Sequence, residues 1–94
     1  MADSHEVTLF WRPGCGFCAS LRRGLEGSGV PIHEIDIWDE PAAAATVRSF
    51  AKGNETVPTV VIGSLDSDAA FGMVNPTAPE VLAAVAKHAP HLLS

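Results

Sequence analysis

Cys15 and Cys18 flank Gly16-Phe17 where a strand-forming run gives way to a helical one, and no other feature of the sequence constrains the chain as tightly. Val7-Thr8-Leu9-Phe10-Trp11 is β-branched and aromatic, and Pro13-Gly14 breaks it, which predicts a short strand ending in a turn. From about Gly16, the residues Phe17, Cys18, Leu21 and Leu25 recur at helical spacing on one side, with Arg22, Arg23 and Glu26 on the other. Gly27 and Gly29 suit the end of that helix. A C-x-x-C pair is a weak signal by itself. At a strand–helix junction it becomes a specific redox signal.

The remaining chain reads as an ordered set of elements. Val30–Ile37 predicts a second strand, with His33, Ile35 and Ile37 on one face and Ile32, Glu34 and Asp36 on the other. Asp39 is the expected N-cap of a second helix, with Pro41 in its first turn and an apolar stripe of Ala44, Val47, Phe50 and Ala51 reaching Lys52-Gly53. Thr59-Val60-Val61-Ile62, behind Pro58, is the strongest strand-forming stretch. A polar turn at Asp66-Ser67-Asp68 separates it from Ala69–Val74 and predicts a hairpin. Thr77-Ala78-Pro79-Glu80 matches a capping box ahead of Val81, Leu82, Val85 and Ala89, and residues 90–94 are expected to fray. The order is strand, helix, strand, helix, strand, strand, helix. The first three elements make a right-handed βαβ unit, and the hairpin adds to the same four-stranded mixed sheet of an α/β fold.

Length and composition set the frame. Ninety-four residues, 47% hydrophobic and 18% charged, fit one domain spanning 1–94, too apolar for disorder. Six Lys and Arg against eleven Asp and Glu leave a formal charge of -5, which argues against phosphate backbones and anionic membranes as partners. The first apolar run is short and follows acidic residues, so no secretory segment is read, and no run approaches the roughly 20 apolar residues of a membrane span. The expectation is a cytoplasmic protein, where thiols are kept reduced and paired cysteines signal chemistry more than bracing.

Cys15, at the helix start, faces amide N–H groups without intrahelical partners and the positive end of the helix dipole, both of which favour thiolate. Cysteines so placed titrate at about 3.5–7.5 against about 8.5 when free. Arg12 is either a solvated surface residue or one that adds to the same field or binds a ligand carboxylate. Cys18, one turn further on, is expected to be the more buried sulfur. Cys15 is then the nucleophile toward a substrate disulfide and Cys18 the resolving thiol, with an external thiol reducing the pair. The bland readings fare worse. A Cys15–Cys18 bridge closes too short a loop to brace a fold. His5, His33, His88 and His91 lack the spacing of a zinc site, and none lies near Cys15 in sequence for a Cys-His hydrolase. Trp11 and Phe17 read as ordinary strand and helix hydrophobes, with a docking surface beside the nucleophile as a further reading for Phe17; Trp38 is a packing residue, and His88 and His91 are surface residues near the last helix end.

Leu9-Phe10-Trp11-Arg12-Pro13-Gly14-Cys15-Gly16-Phe17-Cys18, followed by Thr56-Val57-Pro58-Thr59, resembles the glutaredoxin family of the thioredoxin fold over about residues 7–89. The Gly16-Phe17 pair, Gly53-Asn54-Glu55-Thr56-Val57-Pro58-Thr59 and Asn75-Pro76-Thr77 look most like its mycoredoxins, which reduce mycothiol mixed disulfides. The resemblance implies a three-layer sandwich, a cis Pro58 packed beside the cysteines, and a Val57 backbone that pairs with an extended substrate. It implies substrate contacts from Arg12, Phe17, Thr56, Val57, Pro58, Asn75 and Thr77. Many glutaredoxins have Gly-Gly, which helps hold the glutamyl end of glutathione, where this chain has Asn75-Pro76. The implied activity is thiol–disulfide exchange by a monomer with no bound cofactor and no metal. Its partners are disulfide-containing proteins and a low-molecular-weight thiol, mycothiol or glutathione, or a flavoprotein reductase. The alternatives are an electron donor dedicated to ribonucleotide reductase or a peroxidase, and an iron–sulfur carrier, which Cys18 disfavours because cluster-binding members often lack the second cysteine.

Overall fold

The computed structural model describes residues 6–63 and 70–93. Among them the element order is β1 (Val7–Trp11), α1 (Gly16–Glu26), β2 (His33–Asp36), α2 (Pro41–Phe50), β3 (Thr59–Ile62), β4 (Phe71–Val74) and α3 (Ala78–His88), then a 3-10 turn over Pro90–Leu93. The strands form one mixed sheet in the order β2-β1-β3-β4. β1 runs parallel to β2, as a helical crossover requires, and antiparallel to β3, which is antiparallel to β4.

Strand alternation sorts the apolar residues into two layers. Val7 and Leu9 of β1 and Val60 and Ile62 of β3 pack against Leu21 and Leu25 of α1 and Val81 and Val85 of α3. Phe10 and Val61 point to the other side and meet Ala43, Ala44 and Val47 of α2, with Ile37 and Ala51 closing the cluster. The result is the expected three-layer α/β sandwich. Two glycines permit close approaches within it. A Cβ on Gly24 would stand 2.7 Å from the Ala78 Cβ, so α1 and α3 touch there backbone to side chain. A Cβ on Gly72 would run into the Phe50 ring, which covers β4 from the α2 side.

Several expectations need correction. The second strand is His33–Asp36, not Val30–Ile37. Pro31 brings no N–H to a ladder, while Val30 and Ile32 turn into the α1/α3 core before pairing begins. The N-cap of α2 is Glu40, not Asp39, and it makes no side-chain capping bond. Pro41 at N1 drives its predecessor into extended backbone (φ -131°, ψ 101°), and the Asp39 N–H is already bonded to the Asp36 carbonyl. Phe17 leaves the apolar stripe of α1 and is 74% exposed. Trp38, expected in packing, is 63% exposed. The tail over 90–93 is not frayed: Leu92 packs on the α1/α3 core, its N–H bonds to the Ala89 carbonyl, and the His91 Nε2 meets the Glu6 carboxylate at 2.9 Å. The capping box of α3 is present in both directions, with the Glu80 N–H donating to Thr77 Oγ1 and the Thr77 N–H to Glu80 Oε1. The β4 strand is Phe71–Val74, shorter than Ala69–Val74; the turn at 66–68 and Ala69 lie outside the described residues.

Candidate functional site

The site is built at the carboxyl end of β1. Arg12, Pro13 and Gly14 turn the chain, Gly14 adopting a left-handed φ of 79° that suits glycine, and Cys15 follows as the N-cap of α1 with extended backbone. Its Sγ accepts the N–H of Cys18 at 3.2 Å, so the sulfur takes the place usually held by a capping hydroxyl or carboxylate. Cys15 and Cys18 are joined as a disulfide, with Cα atoms 5.3 Å apart. Their surroundings differ: Cys15 is half-buried, whereas Cys18 is 1% exposed. One sulfur of the pair meets solvent and the other lies beneath it.

The segment between α2 and β3 forms the facing wall. The Val57-Pro58 peptide is cis, as the resemblance implied, and the Val57 carbonyl oxygen lies 3.8 Å from Cys15 Sγ. This segment is tied at several points. The Thr59 hydroxyl donates to the Thr56 carbonyl at 2.7 Å, and the Pro58 carbonyl accepts the Asn75 N–H at 2.8 Å. Arg48, in the last turn of α2, meets Glu55 at 2.6 Å. Asn75 holds φ 53°, a conformation that asparagine tolerates better than most non-glycine residues.

Beside the cysteines runs an open groove of about 300 Å³ lined by Phe17, Ser20, Leu21, Asn75, Pro76, Thr77 and Ala78. Three of the candidate binding residues, Phe17, Asn75 and Thr77, therefore share one groove, and Val57 and Pro58 stand at the disulfide. The Thr77 hydroxyl already serves as the cap of α3. Arg12 is not part of the groove. Its guanidinium lies over the Trp38 ring at 5.8 Å from the centroid, on the β1–β2 side of the site. Sequence reasoning missed several residues here. Ser20 stands one turn after Phe17, a spacing that could have found it. Pro76 lies between two named candidates. The Arg12–Trp38 contact joins residues distant in sequence, and the Arg48–Glu55 contact runs from the end of α2 to the loop after it; neither follows a helical or strand spacing. Among the described residues no three His, Cys, Asp or Glu side chains converge as a metal would require, and no helix is long and apolar enough to cross a membrane.

The glutaredoxin family model matches residues 7–65. The chain belongs to the glutaredoxin family. Glutaredoxins are thiol–disulfide oxidoreductases that work with low-molecular-weight thiols of the glutathione type, and this member carries the C-x-x-C pair. A protein of Mycobacterium tuberculosis provisionally named a glutaredoxin is 35% identical over 81 residues, covering 86% of this chain and 90% of that one. Mycoredoxin 1 of Corynebacterium glutamicum is 35% identical over 79 residues, 84% of this glutaredoxin and 91% of the relative. Among solved structures, the glutaredoxin-like NrdH-redoxin of Escherichia coli superposes with a TM-score of 0.54 at 28% identity, over 69% of this chain and 78% of that one.

Proposed function

We propose that this glutaredoxin reduces mixed disulfides between proteins and a small thiol, mycothiol in first place, with Cys15 as nucleophile and Cys18 as resolving thiol. The observation that carries the reading is the asymmetry of the pair: a half-buried sulfur at a helix N-cap, accepting an amide N–H, above a sulfur that solvent does not reach. In the reduced protein that amide and the helix dipole favour the Cys15 thiolate. The thiolate attacks one sulfur of the substrate disulfide, forms a Cys15–substrate bond and expels the other sulfur as a thiolate, which takes up a proton. The Cys18 thiolate then displaces the captured sulfur and closes the Cys15–Cys18 disulfide. Two equivalents of an external thiol return it to the dithiol and leave as their own disulfide, so two electrons pass in each half-cycle.

Phe17, Asn75 and Thr77 are proposed to receive the small thiol in the groove, and Thr56, Val57 and Pro58 to align an extended substrate beside Cys15. Arg12 is proposed to meet an anionic group of the substrate. Mycothiol is favoured by the likeness to mycoredoxin 1 and by Asn75-Pro76 in place of the Gly-Gly of glutathione-binding members. The working unit is proposed to be a monomer. A second reading, a redoxin recharged by a flavoprotein reductase, is favoured by the structural likeness to NrdH-redoxin, for which a thioredoxin-like activity profile is described.

The test offers the oxidised protein mycothiol with its reductase, glutathione with its reductase, and thioredoxin reductase. Turnover fastest with mycothiol supports the first reading, and turnover with thioredoxin reductase alone replaces it by the second. Cys18→Ser should trap a mixed disulfide on Cys15, seen by mass spectrometry. Cys15→Ser should trap none, and capture by Cys18 in that variant would reverse the assigned roles.

A further inference from the structure

Two arginines of this chain lie over tryptophan rings, and their circumstances differ. The Arg22 guanidinium is 5.0 Å from the Trp11 ring centroid, and its Nε is also 3.1 Å from the Glu34 carboxylate, so its charge is matched. The Arg12 guanidinium is 5.8 Å from the Trp38 ring, and among the described residues no carboxylate pairs with it. The strand register explains the contact. Trp11 stands opposite Asp36 at the carboxyl ends of the parallel pair, and the Ile37 N–H reaches the Trp11 carbonyl at 2.9 Å, so the residues that follow, Arg12 and Trp38, leave the sheet side by side. The Asp36 carboxylate accepts the Trp38 backbone N–H at 2.9 Å, which fixes the backbone under the ring. Trp38 is nevertheless 63% exposed, so packing does not account for a large apolar side chain at this place.

We propose that Trp38 is a positioning residue whose ring fixes the Arg12 guanidinium on the β1–β2 side of the turn that leads to Cys15, so that the enzyme favours disulfides carrying an anionic group near the reacting sulfur. A ring face attracts a guanidinium and restricts its rotamers without neutralising it, unlike a carboxylate partner. The formal charge of the chain is -5, so an anionic disulfide approaches against the overall field, and a cation without an ion-pair partner among the described residues, three residues ahead of Cys15, offsets part of that repulsion. The inference rests on the thiol–disulfide reading and is independent of which small thiol recharges the enzyme.

The experiment follows oxidation of the reduced full-length protein by two small disulfides, bis(2-hydroxyethyl) disulfide, which is neutral, and 3,3′-dithiodipropionate, which is dianionic. Each oxidation converts the dithiol to the Cys15–Cys18 disulfide and the probe to two thiols. The readout is the ratio of second-order rate constants, anionic over neutral. Trp38→Ala should lower the ratio about two- to five-fold, the size of an exposed cation–ring contact. Trp38→Phe should keep most of it, and Trp38→Leu, apolar without a ring face, should behave like Trp38→Ala. In an Arg12→Ala background the Trp38→Ala change should move the ratio no further. An unchanged ratio in Trp38→Ala, a preserved one in Trp38→Leu, or an equal fall in the Arg12→Ala background overturns the proposal. Failure of wild type to react with either probe overturns the thiol–disulfide reading itself, a distinct result.

Discussion

The two faces of the sheet are covered in different ways. On one, α1 and α3 lie together, close enough at Gly24 and Ala78 that no Cβ fits between them, over a core of Val, Leu and Ile. On the other, α2 alone presents small side chains, Ala43 and Ala44, and the buried Thr8 hydroxyl has no hydrogen-bond partner. The disulfide rides on the doubly covered face, through Cys18 and its helix neighbours Leu21 and Leu25. The segment that faces it, Thr56-Val57-Pro58, follows the singly covered side and is tied to it through Arg48 and Glu55. Depth of packing therefore goes with the sulfurs, and the lighter side carries the wall that faces them.

Removing bulk from the deeper side should have the largest effect. Leu25→Ala is expected to cost about 2–5 kcal/mol in urea denaturation, because α3 and the sheet restrict collapse into the space left. An equal loss from Val47→Ala, under α2, would break the contrast. Adding bulk to the lighter side comes next. Gly72→Ala must displace the Phe50 ring and is expected to cost about 1–3 kcal/mol, read as a lower thermal midpoint.

These expectations show how unevenly the sequence speaks. β1, β3, α1 and the Thr77–Glu80 box were legible because their signals are local: β-branched runs, helical spacing and one cap. The cysteine junction was legible for the same reason. The start of β2, the shift of the α2 cap to Glu40 and the exposure of Phe17 and Trp38 were not, because each follows from a contact or a turn that spacing does not encode. Pro41 was read as a helix starter, yet its hold on Glu40 decided the cap. The groove was half legible: Asn75 and Thr77 came through resemblance, while the ties from Arg48 to Glu55 and from Trp38 to Arg12 join separate elements.

Two smaller changes sharpen the comparison further. Thr8→Val removes the unpartnered hydroxyl and should raise stability by up to about 1 kcal/mol, with the guanidinium midpoint as the measure. The same exchange at Thr59, whose hydroxyl is bonded to the Thr56 carbonyl, should lower it. Arg48→Ala breaks a half-exposed ion pair and should change stability by less than about 0.5 kcal/mol. Hydrogen exchange at Thr56 and Val57 should quicken all the same, since the tie holds that segment and not the core.

The burial of Cys18 has a kinetic corollary. On the proposed roles, with Cys15 as the single reachable sulfur, the oxidised client and the replenishing thiol must queue at the same doorway and cannot occupy it together. The cycle then alternates between two half-reactions, double-reciprocal plots run parallel, and an excess of either visitor slows the other by obstruction.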